Sequence, residues 1–532
     1  MAISPQARRR AGADVRAVLD GIRHDSTLRD GIVIHRIEPA TEPVFADLPT
    51  GLDPRLVPAL KSRGIEKLYV HQREAFDHVR AGRHTVVVTP TASGKTLCYN
   101  LPVLDALLSK PGSRALYLFP TKALARDQAA ELQEIMATAA PDLATAVYDG
   151  DTPPGERRVI RDRGHVVISN PDMLHTAVLP HHAKWMRLFE NLEYVVIDEL
   201  HTYRGVFGSH LANVLRRLRR ICRFHGSDPI FVATSATIGN AQAFAERLLE
   251  QPVSLVEKNG APLGERHLMV VNPPVVNPAL GLRASYLKVT RQVSSRFLRE
   301  GIHTIVFAGA RTTTEVMTKY LKDLFRHQVD RRPRVVGYRG GYLPQERRAI
   351  ERGLRDGSIL GVVSTNALVL GIEIGSLDAC VIAGYPGSVA STRQQAGRPG
   401  RRQGASAAVL VLRSHPLDQY LADHPEFLLE GSPESAQINA DNLQILVSHL
   451  KCAAFELPLE DGETFAHGEA QEDVPEVLAF LEEHGVLRHT GGRWHWAADV
   501  YPATDLSRRS VTSTNFVVID TTNNRNEVIA EV

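Results

Sequence analysis

The stretch Thr85-Val-Val-Val-Thr-Pro-Thr-Ala-Ser-Gly-Lys-Thr96 decides the fold. A β-branched run enters a tight loop that ends Gly94-Lys95-Thr96. This is the outline of a Walker A phosphate cradle, in which backbone N–H groups surround the β- and γ-phosphates of a nucleotide. Thr91, Ala92, Ser93, Gly94, Lys95 and Thr96 are the candidate contacts of that loop. The Lys95 ammonium is expected against the phosphates and the Thr96 hydroxyl on Mg²⁺. The loop departs from the strict pattern once, because Thr89 stands at the place of the first glycine. Gly-Lys-Thr after a strand also arises by chance, so the rest of the chain has to decide.

Outward from the loop, apolar runs alternate with helical patterns. Ala115–Phe119, Val166–Ile168, Tyr194–Ile197 and Ile230–Ala233 join Thr85–Val88 as predicted strands. Nearly continuous apolar character is what strands buried on both faces require. Thr121–Ala137 and Leu211–Cys222 read as helices between them, so residues 51–262 form one parallel α/β unit. A Pro-rich break, Asn272-Pro-Pro-Val-Val-Asn-Pro278, precedes a second series: Thr304–Phe307, Arg334–Gly337, Gly361–Ser364, Ala379–Ile382 and Ala407–Leu412. Residues 263–415 are therefore a second unit, with a ligand cleft expected at the carboxyl ends of the strands. Residues 1–50 read as a helical or partly ordered extension. In 416–500, helical patterns at Ala440–Phe455 and Val474–His484 precede a hairpin, Arg488–Trp496, turning at Gly491-Gly492. Helix, helix and two-stranded wing outline a winged helix. Residues 501–532 read as the start of a further, C-terminally shortened domain, strand-like over Ser513–Val532 with no partner in view.

Bulk properties narrow the class. The 532 residues are 43% hydrophobic and 23% charged, as in ordinary globular proteins. A net charge of +2 means that any nucleic-acid surface is a local patch. Cys98, Cys222, Cys380 and Cys452 form no Cys-x-x-Cys pair, so neither zinc nor a disulfide framework is indicated, and a reducing cytoplasm is the simplest setting. Met1–Asp30 has no apolar core, which excludes a secretory signal. No apolar run approaches the roughly 18 residues of a spanning helix, so no membrane partner is expected.

Val195-Val-Ile-Asp-Glu-Leu-His201 delivers two carboxylates at a strand end. Magnesium prefers oxygen ligands and keeps waters, which suits Asp198. Glu199 suits a general base for the attacking water. An Asp-Glu pair at a strand end can also be a plain surface feature. In the second unit, Gln394-Gln-Ala-Gly-Arg-Pro-Gly-Arg401 sets two guanidiniums three residues apart. Permanently charged and bidentate, Arg398 and Arg401 match a γ-phosphate whose charge is redistributing. Coming from the opposite lobe, they complete the site only when the cleft closes. A basic patch for a nucleic-acid backbone is the alternative.

Together these segments resemble the superfamily 2 helicases over residues 64–412. Tyr69-Val-His-Gln72 is similar to the adenine-reading Q motif, with Gln72 as the nucleotide contact, and Phe119-Pro-Thr-Lys-Ala-Leu-Ala125 to motif Ia. Ser169-Asn-Pro-Asp172 stands at motif Ib, Asp198–His201 is a DExH motif II, and Ser235-Ala-Thr237 is motif III. Val306–Arg311, Thr365–Gly375 and Gln394–Arg401 resemble motifs IV, V and VI. The resemblance implies ATP and Mg²⁺ as cofactors, catalytic Lys95, Asp198, Glu199, Gln394, Arg398 and Arg401, and coupling by His201, Ser235 and Thr237. Glu373 takes the ribose-contacting place where Asp is more usual, and Pro399 separates the two finger arginines. The implied fold is two tandem RecA-like P-loop domains with parallel sheets, followed by a winged-helix-like region.

Tyr148-Asp-Gly-Asp-Thr152 and Ile438-Asn-Ala-Asp-Asn442 through His449–Pro458 are similar to the clade of mitomycin repair factor A and SftH, related to fungal RecQ-like helicases. That resemblance implies a DNA-dependent ATPase moving 3′ to 5′ on single-stranded DNA and on 3′-tailed duplex, in DNA repair. A monomer in the bacterial cytoplasm, near the nucleoid, is expected. The clade's four-cysteine zinc domain lies beyond this sequence, so no zinc is expected in it. Translocation without unwinding and a DExH RNA helicase are the alternatives. A DNA-binding scaffold is disfavoured by the intact catalytic set.

Grip on a nucleic acid should be mostly to phosphate and sugar. Thr121, Lys122 and Arg126 in motif Ia, Asn170 in Ib, and Arg311, Arg339 and Thr365 in the second unit are the candidates. Solvated surface charge is the alternative for Arg126 and Arg339. Leu211–Cys222, with four arginines, reads as a packing helix with a basic solvent face, a DNA track being the alternative. Trp494 and Trp496 read as a packing face, with a base-stacking wedge as the alternative. His71, His175 and His210 lie near motifs, but nothing pairs them as metal ligands.

Overall fold

The structure, a computed structural model, describes residues 14–325, 334–369, 377–400, 404–504, 506, 517–520 and 527–531. Thr85–Val88 lies inside a seven-stranded sheet. In spatial order the strands are Ser254–Val256, Thr85–Val88, Ile230–Ser235, Leu192–Ile197, Arg114–Leu118, Val166–Ser169 and Thr145–Val147, all parallel. Successive residues of a strand point to opposite faces, and both faces are covered. Leu116 and Leu118 enter one core with Trp185 and Phe231, while Ala115 and Tyr117 enter another with Phe119 and Leu132. This double burial explains why the strands are legible as unbroken apolar runs.

The second sheet also has seven strands: Ile32–Glu38, Arg266–Val271, Ser406–Val411, Ala379–Ala383, Thr304–Ala308, Gly361–Ser364 and Val335–Tyr338. Six are parallel; Ile32–Glu38 closes the edge antiparallel to Arg266–Val271. Here the reading of residues 1–50 as an extension needs correction. The helix Val15–Arg23 buries Val15, Val18, Leu19 and Ile22 in the second lobe's core, and the strand completes that lobe's sheet. Its partial burial, which gives way to exposure over Arg36–Glu38, and its polar residues (His35, Arg36, Glu38) hid it from a search for strands buried on both faces.

Between the lobes the chain runs twice. Residues 39–44 return from the N-terminal strand to the first lobe, where Phe45–Ala46 pairs with Leu68–Tyr69. Residues 257–265 lead out again, joined to the first crossing by a bridge between Thr41 and Leu263.

After the second lobe, residues 433–441 fold back over the first. Gly205 N donates to Gln437 O at 2.7 Å and Asn213 Nδ2 to Ala440 O at 2.7 Å. Gly208 has to be glycine, because a Cβ there would meet Tyr203 O at 2.0 Å and Ile438 Cγ2 at 2.5 Å. The helices Leu443–Glu456 and Glu469–Glu483 then pack with a three-stranded sheet whose hairpin turns at Gly491-Gly492. Trp494 and Trp496 pack on the core of this winged helix, and Trp494 Nε1 donates to Asp461 at 2.9 Å. Near the C-terminus the strand-like segment does have a partner: Val517–Asp520 pairs antiparallel with Glu527–Glu531.

The arginine helix packs as expected, with Leu211, Leu215 and Leu218 in the core, but its expected basic solvent face is mostly buried. It spans Gly205–His225, and Arg216, Arg217 and Arg219 are buried. Arg217 pairs with Glu456, Arg216 with Glu250 and Asp441 (2.7 Å to Asp441), and Arg220 with Glu463. Guanidiniums rarely go under cover without partners; here acids 31–243 residues away supply them, which no local pattern can show.

Candidate active site

The phosphate loop is built without its first glycine. Thr89 carries no left-handed backbone; positive φ falls on Ala92 (66°) and Gly94 (78°). The buried Thr89 hydroxyl instead meets Ser93 Oγ at 2.7 Å and closes the loop across its base. Gly94 is held to glycine by its left-handed backbone, and a Cβ there would also displace the Gln72 amide, whose Nε2 would lie 2.7 Å away. Gln72 accepts from Tyr69 N at 3.0 Å and donates to Gly94 O at 3.0 Å, so the first turn of the helix Val70–Arg80 holds the loop. Lys95 heads the helix Lys95–Ser109 and reaches the carbonyls of Thr89 (2.7 Å) and Pro90 (3.0 Å). Burial pulls its ammonium below the ordinary lysine range, against the pull of Glu199 and Asp198. Thr96 Oγ1 donates to Gln128 at 3.1 Å, and Tyr99 OH to the same oxygen at 2.9 Å.

Asp198 and Glu199 follow the strand Leu192–Ile197. Burial, and then the neighbouring Glu199, push the Asp198 carboxyl up to about 7. Thr234 Oγ1 and Glu199 N donate to it, the latter at 2.8 Å. Glu199 sits in the left-handed region at φ 53°, an uncommon conformation for a residue with a side chain and one that clusters at functional sites. His201 Nδ1 accepts from Ala236 N at 3.1 Å and stands 3.6 Å from Glu199. Motif II is thereby joined to Ser235-Ala-Thr237 through the backbone of its middle residue. Burial lowers the His201 ring to about 3, keeping it a neutral acceptor. Ser235 Oγ donates to Ala236 O at 2.7 Å, and Thr237 is exposed at the mouth of the neighbouring cavity.

Gln394 and Arg398 come from the other lobe. Thr91, Ala92, Ser93, Gly94, Lys95, Thr96, Asp198, Glu199, His201, Gln394 and Arg398 line one cleft of about 560 Å³ together with Gln72. Arg398 is buried and donates to Val369 O; Pro399 has not turned it out of the cleft. Arg401 and Glu373 lie outside the described residues.

The nucleic-acid candidates all follow parallel strands. Thr121 caps the helix Lys122–Ala139, accepting from Leu124 N at 3.3 Å, and Asn170 caps the turn after Val166–Ser169. In the second lobe, Arg311, Arg339 and Thr365 follow three adjacent strands. Three candidates are already paired: Lys122 with Asp151 (2.8 Å), Arg126 with Asp149 and Asp151 (3.0 and 2.8 Å), and Arg339 with Glu315 (2.7 Å). Asp149 and Asp151 belong to Tyr148–Thr152, whose two acids thus organise motif Ia. Arg311 is exposed at its helix start, and Thr365 Oγ1 accepts from Ala367 N at 3.4 Å.

Sequence reasoning missed Thr234 and Gln128, and left His71 unassigned. Thr234 becomes visible only through strand order, which pairs Ile197 with Ala233 and so sets Thr234 beside Asp198. Gln128 stands one turn beyond Leu124 on a helix, with no motif of its own. His71 contacts Ser93 O at 3.0 Å. Among the described residues, no group of three or more His, Cys, Asp or Glu side chains is gathered to hold a metal ion.

Comparison with known proteins follows the same division. The DEAD/DEAH box helicase profile matches residues 69–244, the helicase conserved C-terminal domain 289–403, and the winged helix domain of ATP-dependent helicase HRQ1 438–511. The crystal structure of the DUF1998 helicase MrfA bound to DNA superposes with a TM-score of 0.88 at 50% identity, covering 97% of this chain and 68% of that one. The chain is a superfamily 2 helicase of the MrfA type. The ATP-dependent helicase YprA of Bacillus subtilis is 54% identical over 486 residues, 91% of this chain and 64% of the relative. HRQ1 of Saccharomyces cerevisiae is 38% identical over 88% of this chain and 44% of its own length. The chain thus spans between two fifths and two thirds of these two curated relatives. MrfA has also been solved with DNA and AMPPNP together, with a TM-score of 0.88. The cleft lined by Lys95 and Arg398 draws on the residues of both helicase matches.

Proposed function

We propose that the chain hydrolyses ATP and uses the cycle to move 3′ to 5′ along single-stranded DNA, unwinding 3′-tailed duplex as a DNA-repair helicase. One observation carries the reading: Lys95, Asp198 and Glu199 of one lobe share a cleft with Gln394 and Arg398 of the other. Closure would set the Arg398 guanidinium against charge moving off the γ-phosphate, with Arg401 as its companion. Glu199 takes the proton of the attacking water. Gln72 reads the base and Glu373 the ribose. His201, Ser235 and Thr237 pass the change toward the strand held by Thr121, Lys122, Arg126, Asn170, Arg311, Arg339 and Thr365. Two carboxylates crowded together against burial are a donor set that suits a divalent cation, and Mg²⁺ at Asp198 and Thr96 would neutralise phosphate charge. MrfA in its DNA-bound structure supports DNA as the partner.

We assign residues 51–262 and 263–415 to the two motor domains, with 14–38 added to the second, and 416–500 to the winged helix. The protein is proposed to act as a monomer in the cytoplasm, associated with the nucleoid; no described helix is long and apolar enough to cross a membrane.

The test is ATP turnover without polynucleotide, with single-stranded DNA and with RNA, for the parent and Glu199→Gln. DNA should stimulate the parent strongly, and the variant should lose about 10²–10⁴-fold, the usual worth of a general base. Stimulation by RNA alone would sink the DNA reading, and unchanged turnover in the variant would sink the base assignment. Tailed duplexes of either polarity then separate unwinding from translocation alone.

A further inference from the structure

His71 touches two things at once. Its ring is fully buried at the start of the helix Val70–Arg80. Gly260 N donates to Nδ1 at 3.1 Å, so the ring proton is on Nε2, which donates to Ser93 O at 3.0 Å. Only the neutral ring can accept at one nitrogen and donate at the other. Burial keeps it neutral by lowering its pKa to about 4.

Gly260 belongs to the crossing that leads from the first lobe to the second. Its carbonyl accepts from Val44 N at 2.9 Å, and Val70 N donates to Val44 O at 3.1 Å. A Cβ at position 260 would lie 2.7 Å from both Val44 O and Val70 Cγ2, so the two crossings are pressed together here. Three residues on, Thr41 and Leu263 exchange backbone bonds of 2.9 and 3.2 Å. Movement of one crossing must therefore move the other; His71 pins the second directly, and the first is held through Gly260 and Val70.

We propose that His71 is a positioning residue that transmits the state of the phosphate loop to the paired crossings, so that nucleotide occupancy sets how readily the cleft closes. The proposal rests on ATP occupying that loop. Phosphates engaging loop N–H groups turn the peptide planes that carry the Ser93 and Gly94 carbonyls. Gln72 holds the second carbonyl, but its other end returns to its own helix at Tyr69. His71 holds the first, and its other end goes to the hinge. Two neighbours on one turn thus divide the work: one steadies the loop, the other reports it.

His71→Asn and His71→Gln separate the two bonds. Asn keeps an acceptor near the Nδ1 position for Gly260 but cannot reach Ser93; Gln keeps a donor near the Nε2 position but offers Gly260 nothing. Dyes on Lys184→Cys and Lys319→Cys, one per lobe, report closure, the four native cysteines being buried. Both variants should bind a fluorescent ADP analogue within about threefold of the parent. Both should lose about tenfold in DNA-stimulated kcat, a typical size for coupling between sites, together with the nucleotide-induced approach of the dyes. Should only one variant fold, it decides alone. A folded variant that keeps parental stimulation and closure overturns the role. Lys95→Ala tests the underlying reading separately: if it binds nucleotide as the parent does, the loop is not the ATP site, whatever residue 71 does.

Discussion

The first lobe has two neighbours, and it holds them in opposite ways. Toward the second lobe it presents a cleft whose charged groups bond mostly to their own side: Lys95 to Thr89 and Pro90, Arg398 to Val369. Toward the winged helix it presents buried side chains bonded across the boundary. Arg217 lies between Glu456, His449 and His175, and Arg220 donates to the carbonyls of Ala453 and Leu457, both at 2.9 Å. An ion pair out of water holds only while both partners stay in place, and removing one leaves an uncompensated charge. Bonds of the first kind leave a boundary free to open, and bonds of the second kind would make the winged helix move with its lobe.

Three measurements can break that contrast. The largest effect is expected at Arg398→Ala, which should lower DNA-stimulated kcat by about 10³-fold with little change in KM, as for a group that acts only in the transition state. A rise in KM with kcat retained would make Arg398 a ground-state binding residue and the cleft a static one. Next, Arg217→Met should destabilise the chain by about 3 kcal/mol in chemical denaturation, and adding Glu456→Leu should recover most of it. Equal loss in the double variant would mean that packing, not charge, joins the winged helix.

The smallest effect is with pH. Burial first, and then the Arg217 cation, hold the His449 ring well below the ordinary histidine value of 6.5. Unfolding releases that restraint, so the unfolded chain binds the proton that the folded one refuses. Stability is therefore full above about pH 6.5 and falls as the pH drops below it. His175, His210, Arg216, Cys452 and Glu456 face the same pocket, and His210 Nδ1 meets His449 Nε2 at 3.1 Å. The melting temperature should drop between about pH 7.5 and about pH 5.5, and His449→Gln should flatten the slope. A slope unchanged by that substitution would place the proton uptake elsewhere.

The same contrast explains what the sequence could disclose. Groups that chemistry demands at short spacing were readable: Gly94-Lys95-Thr96, Asp198-Glu199, and Gln394 with Arg398 all line the cleft. The doubly buried strands were readable because burial on two faces leaves few polar positions and little charge. What escaped depends on distant partners. Arg217 looks solvated until Glu456 is known to lie beside it, and the strand Ile32–Glu38 has no signature until Arg266–Val271 offers an edge. Thr234 needs the strand order, and His71 needs the path of residue 260.

The segment that folds back over the first lobe adds a mechanical consequence. Asn240 and Ala436 exchange bonds of 2.9 and 2.8 Å, and the Glu434 carboxylate accepts from Ala390 N at 2.9 Å, at the start of the helix that leads to Arg398. With the two strands of chain at its entrance, the second lobe hangs from the first by three threads. A body on one tether can swivel; on three it can only swing. The same two faces must meet whenever the cleft closes, so the arrangement favours fidelity over reach.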